Sequence, residues 1–161
     1  PSSGLHTNGY SLARKLVFDV GGYDVNSTIL ELEKTVGVTL LEPHINYTNH
    51  VFTMLDEDVP VKGMAHITGG GLVENIPRVL PNSCSVDIHK LSWPSLPVFD
   101  VMQSIGNVDE EEMYRTFNMG IGMVFIVDSA VVNSVKNALK DLTEVYEIGT
   151  VVSGEKHVIL K

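Results

Sequence analysis

Gly63-Met64-Ala65-His66-Ile67-Thr68-Gly69-Gly70-Gly71-Leu72-Val73-Glu74-Asn75-Ile76-Pro77-Arg78-Val79-Leu80-Pro81 is the stretch on which the architecture turns. Val61 to Ile67 alternates as a strand does, because successive residues of an extended chain face opposite sides. Three glycines interrupt it. A short helix is predicted from about Leu72, and Pro77, which has no N–H to donate, keeps it short or kinked. A strand that enters a helix through glycine leaves backbone N–H groups free at the bend and lets a ligand approach them closely. No Gly-Lys-Ser/Thr follows, so this is not a Walker loop. Taken alone the bend reads equally as a phosphate cradle and as a flexible turn.

Working outward, Cys84–Ile88 reads as a second strand and Phe99–Ile105 as a helix closed by Gly106. Between them Trp93 lies in a proline-flanked loop, where its bulk suits plugging the edge of a core. Asn107 with Glu110 predicts a helix start with a reciprocal cap. The acidic run Asp109-Glu110-Glu111-Glu112 is then a solvated helix N-terminus, where negative charge is favoured. Ile121–Val127 is apolar throughout and predicts a buried central strand. Ser129 is expected to cap a helix with Val131, Val135, Ala138 and Leu142 on its core face. Val145–Val152 and His157–Leu160 are expected to close the chain as a hairpin.

Upstream, Asn8 is expected to cap a helix running to about Phe18, with Tyr10, Ala13 and Val17 at helical spacing. It should stop before Gly21-Gly22. Residues 19–34 are acidic and irregular, with Ile29, Leu30 and Leu32 as the only anchors. Short helices are expected around Val36–Leu41, ahead of Pro43, and over residues 47–56. The order predicts one α+β domain over residues 1–161: a mixed β-sheet covered by helices, a layered sandwich. Strand 121–127, helix 129–142 and strand 145–152 would form half of a ferredoxin-like motif.

The chain has 161 residues, enough for one domain with a real core. Hydrophobic residues make up 43% and charged residues 19%, a globular composition. Eleven Lys and Arg face twenty Asp and Glu, a formal charge of −9. That balance argues against nucleic acid and anionic membrane as partners, since both need clustered positive charge. Cys84 is the single cysteine, so no internal disulfide forms and a reducing, cytoplasmic setting is expected. Cys84 lies within a strand pattern and is read as structural rather than nucleophilic. Pro1 is not an initiator methionine, and the opening reads as a linker, so the chain is expected to begin inside a longer protein or to follow a removed tag.

His66 stands two residues before the glycine bend. A lone histidine on a strand is more often a satisfied core group than a catalyst, and its neighbourhood narrows that gap. His6, two residues before Asn8, poses the same question. The six histidines show no ligand spacing, and no metal site is expected. Arginine is confined to Arg14, Arg78 and Arg115. A guanidinium offers a planar, two-pronged fork for phosphate.

Four blocks carry a resemblance. They are Ser3-Gly4-Leu5-His6-Thr7-Asn8-Gly9-Tyr10-Ser11-Leu12-Ala13-Arg14; Leu41-Glu42-Pro43; the stretch from Gly63 to Pro81; and Glu112-Met113-Tyr114-Arg115-Thr116-Phe117-Asn118-Met119-Gly120. In this order they resemble the C-terminal half of the aminoimidazole ribonucleotide synthetases, or phosphoribosylformylglycinamidine cyclo-ligases. All three arginines lie inside them. Selenophosphate synthetases, thiamine-phosphate kinases, hydrogenase maturation proteins and the glutamine-dependent amidotransferase one step earlier share the architecture, but the third and fourth blocks look closer to the cyclo-ligases.

The resemblance implies a ligase of purine biosynthesis that closes the imidazole ring of formylglycinamidine ribonucleotide with ATP and Mg2+. Both would be bound mainly by an N-terminal domain that this chain lacks, so the chain alone should be inactive. It implies His6, Asn8 and His66 as the groups that orient or deprotonate the amidine. Thr68, Gly69, Gly70 and Gly71 would bind phosphate, and Asn75, Arg78, Arg115 and Asn118 the phosphorylated substrate. Homodimers are implied for the full enzyme. Residues 19–34 carry no family pattern, and His44-Ile45 replaces the usual threonine and basic residue after Glu42-Pro43. A non-catalytic module that binds a phosphorylated metabolite or a partner is the alternative.

Overall fold

The computed structural model describes residues 1–161. Helix α1 (Tyr10–Arg14) continues as a π turn, Lys15–Val20, and stops at Gly21. Ala13, Leu16 and Val17 are all buried along it. Helices α2 (Val36–Leu40) and α3 (Thr48–Asp56) follow, α2 capped by the Thr35 hydroxyl, which accepts from the Val38 N–H. Strand β1 (Val61–His66) leads through the glycine bend into α4 (Gly71–Asn75), and Pro77 converts the next turn, Ile76–Val79, to 3-10 geometry. Then come β2 (Cys84–Ile88), α5 (Pro97–Gly106), α6 (Glu110–Thr116) and β3 (Met123–Val127). Helix α7 (Val132–Leu139), β4 (Gly149–Ser153) and β5 (Val158–Leu160) complete the chain. No helix is long and apolar enough to cross a membrane.

The fold is α+β, and its strands divide into two small sheets. β1 pairs antiparallel with β3, with a register shift between Val61 and Gly63. β2 lies between β4, antiparallel, and β5, parallel. The predicted closing hairpin is therefore split: β4 and β5 do not pair, because β2 offers each of them one edge. The half ferredoxin-like unit does not form either, since β3 and β4 belong to different sheets. β3 is half-buried along its length rather than central, its second edge being unpaired. A largely apolar cleft of about 700 Å³ separates the sheets, lined by Val124 and Ile126 on one side and Val86 and Val151 on the other.

The main core joins α1, α4, α5 and α6 to β2 through Ala13, Leu72, Phe99, Met113 and Ile88, none more than 1% exposed. Trp93 plugs its edge as expected and donates to the Met119 carbonyl at 2.8 Å. A smaller cluster of Met54, Val59, Val135 and Leu139 fastens α3 to α7. Leu142 falls outside α7 and stays exposed, so the apolar face of that helix ends at Leu139.

Three predicted caps are replaced. Gly9, at φ +69°, occupies the N-cap of α1, while the Asn8 amide donates instead to the His6 carbonyl. Asn107 ends α5 in left-handed geometry, and Asp109 caps α6 by accepting from the Glu111 N–H. Ser129 opens a 3-10 turn without a side-chain cap.

Candidate functional site

The four sequence blocks, strung along most of the chain, meet at one place. Their glycines show how closely. A side chain at Gly9 would put its first carbon 2.5 Å from the Phe117 ring, joining the first block to the fourth. One at Gly71 would collide with the carbonyl oxygens of Tyr114 and Phe117, joining the third to the fourth. At Gly69 it would lie 3.7 Å from Asn8 Oδ1, and at Gly4 3.5 Å from Glu42 Cβ. Gly70 and Gly71 hold φ of +96° and +56°, a region other residues enter only under strain.

Asn75 holds the bend. It is 3% exposed, and its amide N–H groups donate to the carbonyls of Thr68, Gly69 and Gly71 at 3.2, 3.2 and 2.8 Å. Its oxygen accepts from the Thr68 hydroxyl at 3.1 Å. With the carbonyls turned inward, the N–H groups of Gly69 and Gly70 donate to no acceptor in the protein. The Glu74 carboxylate lies over Gly70, 2.5 Å from where a Cβ would stand. An anion reaching the bend therefore has to displace it.

Asn118 does the same for the opening segment. It is fully buried, donates to the Gly4 carbonyl at 2.7 Å, and accepts from the Ser2 hydroxyl and the Gly120 N–H, both at 2.8 Å. Asn75 and Asn118 were expected to bind substrate. Their hydrogen bonds run within the protein, Asn75 to the glycine bend and Asn118 to the opening segment and its own turn, and so shape the site.

The histidines are where the structure departs furthest from the sequence reading. His6, His44 and His66, from the opening segment, the α2–α3 loop and the end of β1, form one cluster. The rings of His6 and His44 stack at 4.1 Å with 17° between planes. His44 Nε2 lies 3.2 Å from His66 Nε2. Tyr47 presses against all three rings, with His50 beyond it. No sequence spacing signals this cluster; the one hint is His44 itself, standing where the resemblance expects threonine.

Within the cluster, His6 is 1% exposed, and its Nε2 accepts from the Ser3 and Ile45 N–H groups at 3.0 and 3.3 Å. The proton of the neutral ring is therefore on Nδ1, which has no partner. Burial, followed by the neighbouring His44 and His66, lowers its pKa to about 4. A ring so enclosed, with its Nε2 lone pair occupied by two main-chain N–H groups, seats the other rings of the cluster. His6 and Thr7 both carry positive φ, of 53° and 63°, backbone strain concentrated at the cluster. His66 is exposed, its pKa lowered first by desolvation and then by His44.

Arg14, Arg78 and Arg115 are exposed, and all five ion pairs of the chain use lysine, so the guanidinium groups have no carboxylate partners. Arg14 borders a shallow recess with Ser11, Lys15, Phe18 and Asp19. No three His, Cys, Asp or Glu residues are placed to hold a metal ion.

The family model of the C-terminal domain of AIR synthase related proteins matches residues 1–161. The chain belongs to that family. The phosphoribosylformylglycinamidine cyclo-ligase of Syntrophotalea carbinolica is 50% identical over 89% of this chain and 41% of its own length. That of Geotalea uraniireducens is 47% identical over 96% of this chain and 44% of its own. This AIR synthase related domain thus spans less than half the length of the curated relatives it matches. The solved structure of E. coli HypE, a hydrogenase maturation protein, superposes with a TM-score of 0.59 at 21% identity, covering 99% of this chain and 44% of that one. At that identity the likeness concerns the fold alone.

Proposed function

We propose that this chain is the C-terminal half of an ATP-dependent cyclo-ligase of purine biosynthesis, acting on formylglycinamidine ribonucleotide in the cytoplasm and inactive without its nucleotide-binding half. The observation that carries the reading is the convergence of the four blocks on the glycine bend, set against relatives that bear the cyclo-ligase name. ATP with Mg2+ supplies the phosphoryl group that makes the formyl oxygen a leaving group. The residues of this half do not fit a magnesium site.

What this half supplies is placement and charge stabilisation. The free N–H groups of Gly69 and Gly70 hold phosphate oxygens. Arg78 and Arg115, without carboxylate partners, draw the anionic ribonucleotide to an acidic molecule. Exposed His66 takes the amidine proton as the ring closes, and Asn8 at Gly69 orients the nucleophile. The full enzyme is a homodimer in this reading, and the partners of this half are its N-terminal half and the phosphorylated substrate.

The test is a chimera in which this chain replaces the matching part of the Syntrophotalea carbinolica relative. Cyclo-ligase activity is expected from it, with none from the 161 residues alone, and a His66→Ala chimera should lose at least a hundredfold in kcat. A folded chimera with no activity, or turnover by the isolated chain, would overturn the proposal.

A further inference from the structure

His44 has no place in the roles above, yet its ring lies between two others. Its Nδ1 faces the Thr7 hydroxyl at 3.5 Å. That hydroxyl donates its one proton to the His6 carbonyl at 2.5 Å, so toward His44 it can only accept. His44 therefore carries its ring proton on Nδ1, and the Nε2 of the neutral ring is bare. The contact of 3.2 Å between His44 Nε2 and His66 Nε2 then requires a proton from His66. The ring of His44 cannot swing away freely, because it is stacked on His6, which two main-chain N–H groups hold in place.

We propose that His44 is a positioning residue that fixes His66 in the tautomer protonated at Nε2, leaving Nδ1 as its proton-accepting atom. The direction of the relay is set by Thr7, two steps away. The groups facing the pair are His6 and Tyr47, and neither is acidic enough to reverse it near neutral pH. No carboxylate forms an ion pair with any member of the cluster. The consequence for catalysis rests on the reading of His66 as the base; the tautomer does not.

Long-range proton–nitrogen spectra of the chain with 15N-labelled histidine test this at pH 7.5. The His66 Nε2 should bear a proton that exchanges slowly enough to be seen, with Nδ1 bare. His44→Phe keeps a ring against His6 but offers no nitrogen, and should abolish that proton signal. His44→Gln, whose amide oxygen accepts, should restore it. Thr7→Val leaves the His44 ring in place and should weaken the signal by freeing the His44 tautomer. A His66 protonated at Nδ1, or an Nε2 proton unchanged in both His44→Phe and Thr7→Val, overturns the proposal. In the chimera, His44→Phe should lower kcat about tenfold, with recovery in His44→Gln. If the spectra change as expected and kcat does not, the positioning role stands and the assignment of His66 as base falls.

Discussion

At the scale of single residues, the site is organised by two asparagines whose side chains replace backbone partners. Asn118 satisfies three groups from the opening segment and its own turn, two of them more than 110 residues away in sequence. Asn118→Ala leaves a buried carbonyl and a buried N–H unpaired, each costing about 1–3 kcal/mol. A loss of roughly 3 kcal/mol in urea unfolding is expected, with the histidine cluster's NMR signals broadened or displaced. Glu74 acts in the opposite sense. Its carboxylate stands over the N–H groups of the glycine bend, so it competes with any anion there. Glu74→Gln should tighten inorganic phosphate about fivefold, roughly what one unit charge is worth at 4 Å in water. Calorimetric titration would read this directly, and weaker binding would show that Glu74 assists the ligand instead. None of these roles is visible in composition. An asparagine that binds substrate and one that clamps a loop are the same letter in the same motif, and only the partners of the amide separate them.

At the scale of elements, local signals were legible and pairings were not. β1 and β2 follow the predicted bounds within a residue, because alternation and flanking turn residues are properties of the segment itself. The split of α4 at Pro77 follows from a missing N–H and needs no tertiary context. The hairpin of β4 and β5 failed as a prediction because nearness in sequence does not say that a third strand will come between. The triple glycine was legible as a bend but not as a packing device. Gly71 lies against the main chain of α6, where any side chain meets the Tyr114 and Phe117 carbonyls, and its φ is +56°. Gly71→Ala therefore has to push α4 and α6 apart. A loss of at least about 3 kcal/mol is expected, from strain at the left-handed position together with overpacking. Gly22, with φ +68° and nothing within 4 Å of an added Cβ, is the control, and Gly22→Ala should cost only about 1 kcal/mol. Thermal melts of the two variants would separate the terms.

For the whole molecule, the histidine cluster ties stability to pH. In the folded chain His6 titrates at about 4, below its ordinary 6.5, first because it is buried and then because His44 and His66 stand beside it. His50 and His66 are lowered in the same direction, each mainly by desolvation. Between those values the unfolded chain binds a proton that the folded chain refuses, so stability is full above about pH 7 and falls as the pH drops toward 4. His6 alone should account for roughly 2 kcal/mol between pH 7.5 and 5. Urea midpoints at the two values would measure it, and equal midpoints would mean that the ring is hydrated.

The clamp at Asn118 has one more consequence, for the order of assembly. Closing a loop of well over a hundred residues is entropically unfavourable until the intervening structure has condensed, so residues 1–8 dock late. The contacts that create the site are then absent from the folding transition state. Damage to them speeds escape from the native state and barely slows arrival at it.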